Sequence, residues 1–140
     1  MSDRAPDAKV VQMRLVVEAE DYEAAVAFYR DALGLTEDAA IAGPDGAHVT
    51  ILDAGRATLE IVNPAQKRYI DKVEVGRDVA TKFRAAFQVP DAEASTKRLV
   101  DAGAELLASP TETPWRSLSS RLNAPAGLQI TLFQELDPAD

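Results

Sequence analysis

The stretch that decides the fold is DYEAAVAFYRDALGL, residues 21–35. Asp21 is a typical helix N-cap, and Glu23 places a negative charge in the first turn, where the helix dipole favours it. Gly34 is typical of the left-handed residue that ends a helix. Between them, apolar side chains recur at helical spacing, so the stretch predicts an amphipathic helix packed against an apolar layer. The side chains of this stripe are Tyr22, Ala25, Phe28, Tyr29, Ala32 and Leu33.

Strand-like segments flank this helix on both sides. The apolar run VVQMRLVV within Lys9–Glu18 predicts a buried strand before it. After it, Leu35–Ala42, His48–Asp53 and Ala57–Val62 predict three short strands, separated by the turn sequences GPDG and AGR. The first half of the chain is therefore predicted to follow the order β-α-β-β-β.

The same order returns in the second half. A strand is predicted at Lys82–Val89, and a helix then runs from the cap Asp91 to Gly103. Asp91 lies 70 residues after Asp21 (91 − 21), and both helices begin with Asp-x-Glu-Ala. Three further strands are predicted, with Pro110 and Pro114 in a loop between the first two, which indicates an internal repeat of one supersecondary unit. These strands are Ala104–Ala108, Trp115–Leu122 and Leu128–Phe133.

The predicted organisation is one α+β structural domain made of two βαβββ modules. Each module alone has too few residues for a stable core, so the two are expected to pack together or with a partner chain. Residues 65–79 are predicted to be a connecting segment, in which a short helix is possible near Gln66–Lys72. The modules span residues 9–64 and 80–136, and flexible tails are expected at residues 1–8 and 137–140.

Composition excludes several kinds of site. The 140 residues contain no cysteine and one histidine, His48, which rules out thiolate metal sites and disfavours sites that need two imidazoles. His48 itself is predicted to lie at a surface or cleft edge. The formal net charge of −8 argues against nucleic acid and anionic membranes as partners. The N-terminus lacks the apolar core of a signal peptide, which predicts a cytoplasmic protein.

Two segments resemble one known family. Residues 21–35 resemble the signature helix of the vicinal oxygen chelate superfamily, which includes glyoxalases, bleomycin resistance proteins and extradiol dioxygenases. APAGLQITLF, residues 124–133, resembles its last turn and strand, although Asp-Pro-Asp-Gly is usual at that turn. The resemblance covers about residues 9–135. It implies paired βαβββ modules with curved mixed sheets enclosing a cleft that holds metal or substrate, and a homodimer.

The resemblance also implies which residues occupy the family's metal-ligand positions. They are Arg14, Glu60, Arg84 and Thr131. A guanidinium has no lone pair to give, so we expect neither a metal nor another cofactor. Strand alternation independently directs Arg84 and Arg121 toward the cleft, together with Ser117, Ser119, Asn123 and, at the start of the strand, Trp115.

Two functions remain open at this point. The chain is either a glyoxalase/bleomycin-resistance-like protein that binds a small, partly apolar ligand, which can be anionic, or a lyase or isomerase that uses Glu60 as general base. That enzyme could be metal-free, or metal-dependent if the strand register differs. Arg14 and Arg84 either bind the ligand or form an internal ion-pair network around Glu60. The candidate ligand-binding residues are Arg14, Glu60, Arg84, Trp115, Asn123 and Thr131.

Overall fold

A computed structural model describes residues 14–57, 60 and 62–137. The helices are α1 (Tyr22–Ala27), which continues as a π-helical turn (Phe28–Ala32), α2 (Pro64–Glu74) and α3 (Ala92–Asp101). The strands are β1 (Thr36–Ala42), β2 (His48–Asp53), β3 (Arg84–Gln88), β4 (Glu105–Glu112), β5 (Ser117–Ala124) and β6 (Leu128–Glu135). The α+β class predicted from the sequence is confirmed.

The local signals that define the first helix act as expected. Asp21 accepts a hydrogen bond from the Ala24 N–H at 3.1 Å, and Gly34 takes a left-handed φ of +96°. The last turn widens to a π-helix, in which the Leu33 N–H bonds to the Phe28 carbonyl at 2.9 Å. Phe28 and Tyr29 are both buried there, so the wider turn directs two adjacent aromatic side chains into the core.

The second module is complete. Its four strands lie in the order β3-β6-β5-β4, with β3 parallel to β6 and the other pairs antiparallel. Asp91 caps α3 as predicted, and Gly103 follows it with φ +110°. The strand order leaves β3 and β4 at the two edges of this mixed sheet.

Two predicted strand boundaries are wrong. β4 runs on through Pro110, which was expected in a loop, because β4 is an edge strand with register shifts that tolerate a residue lacking an N–H. β5 begins at Ser117 rather than Trp115. The chain turns just before it, where Arg116 adopts φ +64° and the Thr113 N–H bonds to the Ser117 carbonyl at 2.8 Å.

The described part of the first module contains one helix and the antiparallel hairpin β1–β2. Of the predicted strand at residues 9–18, residues 9–13 lie outside the described residues, and residues 14–18 are exposed and form no strand. Of the predicted strand at residues 57–62, the described residues Ala57, Glu60 and Val62 form no strand either. A strand needs a neighbour for its N–H and C=O groups, and the described residues supply none to these two segments.

The helix of the first module packs against the second module. The Tyr29 hydroxyl donates to the Pro125 carbonyl at 2.7 Å, and burial raises the pKa of Tyr29 to about 12. The Arg98 Nε donates to the Ala32 carbonyl at 2.9 Å. Phe28 and Tyr29 join one core with residues of α3, β5 and β6, among them Leu99, Leu122, Ile130 and Leu132. The helix of the first module and the sheet of the second module thus share one core.

The helices cover opposite faces of the four-stranded sheet. α3 lies on the face that carries Ser120, whose hydroxyl bonds to the Thr96 hydroxyl at 2.7 Å. α2, which starts at the cap Asn63 and extends beyond the predicted short helix, lies on the other face and contacts Arg121. We call that second surface the α2 face. None of the helices in the described ranges combines the length and apolar character needed to cross a membrane.

Candidate functional site

The α2 face carries a cluster of polar side chains from three adjacent strands. β3 supplies Arg84, β5 supplies Arg121, and β6 supplies Gln129 and Thr131. In the sheet register Arg84 pairs with Gln129, and Arg121 pairs with Thr131. Side chains alternate between the faces of a strand, so this register brings the four polar groups together.

Two guanidinium groups meet at the hydroxyl of Thr131. Arg84 Nη1 donates to Thr131 Oγ1 at 2.7 Å, and Arg121 Nε donates to the same oxygen at 3.1 Å. A hydroxyl oxygen has two acceptor lone pairs. Both are therefore engaged by arginine, and the Thr131 oxygen has none left for another positively charged partner.

Arg121 is neutralised by two carboxylates of α2. Its Nη1 lies 2.9 Å from Asp71 Oδ1 and its Nη2 lies 2.7 Å from Glu74 Oε1, while Nη1 also donates to Gln129 Oε1 at 3.0 Å. Arg121 is 0% exposed, Asp71 1% and Glu74 6%. Charges removed this far from water are tolerated only when they are paired and hydrogen-bonded, and here they are.

Asp71 also fixes the chain that leads to β3. Its Oδ2 accepts hydrogen bonds from the N–H groups of Val79 and Ala80, each at 2.8 Å. Burial raises the pKa of the Asp71 carboxyl, but the N–H of Ala80, the Arg121 guanidinium and the N–H of Val79 outweigh burial and hold that pKa below its usual range. One carboxylate thus ties α2, the connecting segment and β5 together.

Arg84 has a different environment from Arg121. It is half-buried, and its one hydrogen bond to the described residues goes to Thr131. Burial lowers the pKa of the Arg84 guanidinium, and the positive charge of Arg121 lowers it further, against the opposing influence of Glu74, Asp71 and Glu60. Arg84 is therefore a cation whose immediate partner is a neutral hydroxyl.

The remaining candidate residues from the sequence differ in their position relative to the polar cluster of the α2 face. Glu60 and Arg14 are exposed, and the buried ion pairs of the described residues join Arg121 to α2 rather than centring on Glu60. Asn123 Nδ2 donates to Glu105 Oε1 at 2.9 Å, and Asn123 Oδ1 accepts a long 3.5 Å bond from Gln129 Nε2. The α2 face therefore extends to Asn123 through Gln129.

Trp115 lies in the turn between β4 and β5 instead of on a strand. It is 45% exposed and contacts Tyr69 of α2, with ring centroids 6.1 Å apart. His48 is exposed on β2, with its ring 5.9 Å from that of Tyr22. The described distances connect neither ring to the two arginines.

Sequence reasoning missed three members of this cluster: Asp71, Glu74 and Gln129. A signal for the two acids was present, since residues three apart lie on the same side of a helix, and a helix was predicted near them. Gln129 lies two residues before Thr131 on the same strand and so shares its face. What the sequence did not show was that this acidic side of α2 would pack against Arg121.

No group of three or more histidine, cysteine, aspartate or glutamate side chains in the described residues is arranged to hold a metal ion. Asp71 and Glu74 come close together, but they do so around a guanidinium. The acidic side chains nearest the cluster's centre are thus already in ion pairs.

Replacing Arg121 with methionine is expected to destabilise the fold by about 3–5 kcal/mol, because two buried carboxylates lose their cation. The free energy of unfolding from urea titration measures this. The control is Lys97→Met, which removes the exposed Lys97–Asp101 pair and should cost less than about 0.5 kcal/mol. Equal losses in the two variants would contradict a stabilising role for the buried cluster.

Asp71 is expected to make stability pH-dependent. Its pKa is lower in the folded chain than in the unfolded chain, so its contribution is complete above about pH 4 and is lost as pH falls through the folded-state pKa. Urea titrations from pH 7 to pH 3 should show a smaller loss of stability in Asp71→Asn than in the parent chain. Asp101→Asn, an exposed acid, should keep the parent profile; parallel profiles for Asp71→Asn would refute the assignment.

Comparison with known proteins places this geometry in context. Residues 14–133 match the family described as the glyoxalase-like domain. No curated relative of the chain was found. Structural similarity extends to TnmS3, an antibiotic binding protein from Streptomyces sp. CB03234, at 22% identity and a TM-score of 0.59, covering 91% of this chain and 98% of that one.

Two further solved structures share the fold. A glyoxalase family protein from Bacillus cereus is 16% identical with a TM-score of 0.58, covering 96% of this chain and 100% of that chain. A member of the glyoxalase/bleomycin resistance protein/dioxygenase superfamily from Sphaerobacter thermophilus is 20% identical with a TM-score of 0.52, covering 86% and 92%. At these identities the structures share the fold alone, and the family match over residues 14–133 carries the assignment. The chain therefore belongs to the glyoxalase-like domain family.

Proposed function

We propose that this chain is a binding protein for a small, partly apolar ligand, held on the α2 face without a metal ion. The observation that carries the proposal is the Thr131 hydroxyl, which accepts hydrogen bonds from both Arg84 and Arg121. A position that the family resemblance assigns to a metal ligand is here an acceptor for two cations. The site is thereby organised around arginine rather than around a metal.

The residues at the four implied ligand positions do not fit a metal. Arg14 and Arg84 have no lone pair to give, and the lone pairs of Thr131 are engaged. Glu60 is left as a single exposed carboxylate, which is a poor ligand set for a divalent cation. The proposal therefore uses no metal chemistry.

Arg84 is the proposed main ligand contact. The guanidinium of Arg121 is committed to Asp71, Glu74, Gln129 and Thr131. Arg84 makes one hydrogen bond within the described part of the chain, although a guanidinium has five N–H donors. Its half-buried position lets a bound group be shielded from water while remaining reachable from solvent. Thr131 and Asn123 border the same face, and Arg14, Glu60 and Trp115 remain candidates at its periphery.

The fold comparison is consistent with a binding role. TnmS3 is described as an antibiotic binding protein, and it shares this fold at 22% identity. That likeness shows that the scaffold serves ligand binding in one protein. The alternative of a lyase or isomerase based on Glu60 has less support here, since a general base is usually tuned by burial and Glu60 is exposed.

A thermal-shift screen of anionic, neutral and cationic small molecules tests the proposal. A ligand at 100 times its Kd should stabilise the native state by about 2.7 kcal/mol and raise Tm, with or without added Zn²⁺, Ni²⁺, Mn²⁺ or Fe²⁺. Arg84→Gln should reduce the shift, whereas Arg68→Gln, an exposed arginine on α2, should preserve it. Shifts that require a divalent metal, or no shift with any compound, would overturn the proposal.

We also propose that the protein is a cytoplasmic homodimer. The support is an apolar groove of about 340 Å³ beside the residues that precede β3, lined by Leu15, Val16, Val17 and Phe83 among others. Val16 is 85% exposed and Phe83 75%, so two large apolar side chains of this groove lie in contact with solvent. A two-fold partner would bury it.

Light scattering after size exclusion is expected to give twice the chain mass of 15.1 kDa. Val16→Asp should shift the population toward monomer, because it places a charge in the apolar groove. Val49→Asp, on β2 outside that groove, should leave the mass unchanged. A parent chain that is monomeric at high micromolar concentration would contradict the dimer.

A further inference from the structure

The arrangement of charges on the α2 face narrows the ligand to one chemical class. We propose that the ligand is an apolar monocarboxylate whose carboxylate is bound by the free edge of the Arg84 guanidinium. This inference rests on the proposed binding function and adds to it the ligand's charge, the shape of its polar group and its orientation.

The negative charge of the proposed ligand is inferred from the ion pairs of the two arginines. Arg84 and Arg121 contribute two positive charges, and Asp71 and Glu74 contribute two negative ones. Both carboxylates contact Arg121, so Arg84 lacks a direct anionic partner among the described residues. A single negative charge placed against Arg84 gains a direct ion pair in a half-buried setting, where such a pair is stronger than at the surface.

A second negative charge on the ligand would be unfavourable. The four charges of the cluster already sum to zero, so a dianion leaves one charge with no cation to meet. Asp71, Glu74 and Glu60 all lie close enough to influence the pKa of Arg84, and they would repel the added charge. A phosphate monoester or sulfate is therefore a poorer fit than a carboxylate, and a cationic ligand would meet Arg84 itself.

The shape of the polar group follows from which guanidinium nitrogen is occupied. Nη1 of Arg84 donates to Thr131, while Nε and Nη2 have no acceptor within the described part of the chain. These two nitrogens form one edge of the planar guanidinium and present parallel N–H groups, which match the two oxygens of a carboxylate. A neutral amide offers a single acceptor oxygen there and lacks the charge.

The apolar part of the ligand can lie against β3. Among the described residues β3 is an edge strand, with β6 as its neighbour in the sheet. Ala86, two residues further along β3 and on the same face as Arg84, is exposed. A ligand with its carboxylate on Arg84 can therefore extend an apolar group along β3, past Ala86.

Isothermal titration with four probes that share a phenyl ring tests the inference. The probes are phenylacetate (−1), phenylacetamide (neutral), benzyl phosphate (near −2) and phenethylammonium (+1), in low-salt HEPES at pH 7.5. Phenylacetate should bind at least about tenfold more tightly than each of the others, as expected for a charge-assisted pair of hydrogen bonds. Arg84→Gln should remove this preference, so that phenylacetate binds no more tightly than phenylacetamide.

Two variants guard against a folding artefact. Arg84→Lys keeps the charge but loses the paired geometry, so phenylacetate binding should fall between the parent and Arg84→Gln. Arg68→Gln removes an exposed arginine of α2 and should bind all four probes like the parent. Each variant is first compared with the parent for Tm and far-ultraviolet circular dichroism.

The outcomes separate this inference from the function on which it rests. Equal binding of the acid and the amide, tighter binding of the phosphate, or insensitivity of phenylacetate to Arg84→Gln would each overturn the monocarboxylate assignment. So would the failure of all four probes while other compounds shift Tm in the broad screen, and in that case the binding function stands. If no compound in the thermal-shift screen raises Tm, both the binding function and the monocarboxylate assignment are overturned.

Discussion

The fully buried guanidinium of Arg121 is the constraint on which the rest of the α2 face depends. An arginine with no solvent exposure is tolerable only if nearly all its donors find acceptors, and it finds its counter-charges on α2, outside the sheet. Helix α2 is therefore held where Asp71 and Glu74 reach β5. Because Asp71 also accepts the N–H groups of Val79 and Ala80, the same interaction fixes the chain that enters β3.

The two arginines of the α2 face therefore have different roles. Arg121 uses its hydrogen bonds internally, on α2 and on its strand neighbours Gln129 and Thr131. Arg84 shares only the Thr131 hydroxyl with it and keeps an open edge. If Asp71 and Glu74 contacted Arg84 instead, the N–H donors of Arg84 would be occupied by those carboxylates. Arg84 would then have no donor left for a ligand. The position of α2 therefore decides which arginine is structural and which is available.

Much of the fold could be predicted because its signals are local. Asp21 and Asp91 cap their helices through their own side chains, and Gly34 and Gly103 end them through their own backbone freedom. Strand alternation likewise needs only a correct phase, and it directed Arg84 and Arg121 toward the same side, where the structure places both beside Thr131. The start of β5 was misjudged because the preceding turn uses a left-handed Arg116, and a non-glycine residue gives no sequence signal for that conformation.

The partners of Arg121 could not be predicted in the same way. Asp71 is 50 residues from Arg121 in the sequence, and their contact depends on which face of the sheet the connecting helix covers. The local sequence does not distinguish a helix whose acidic side is exposed to solvent from one whose acidic side neutralises a buried cation. The family resemblance indicated Glu60 as the acid of the site, but Glu60 is exposed. The buried acids, Asp71 and Glu74, come from the connecting segment, to which the resemblance assigned no role.

The family resemblance implies that three of its four metal-ligand positions carry a different residue in this chain, and two of the three, Arg84 and Thr131, are joined to each other and to Arg121 by hydrogen bonds. An acid at position 131, where the family resemblance expects one, would lie between two guanidinium groups and pair with them before it could bind a metal. Removing Arg121 to free such an acid would leave Asp71 and Glu74 buried without their cation. A substitution toward a metal ligand at position 131 thus conflicts with the two arginines that already contact it. The proposal of a metal-free binding face follows from this mutual dependence, which is carried by Arg121 and the two carboxylates of α2.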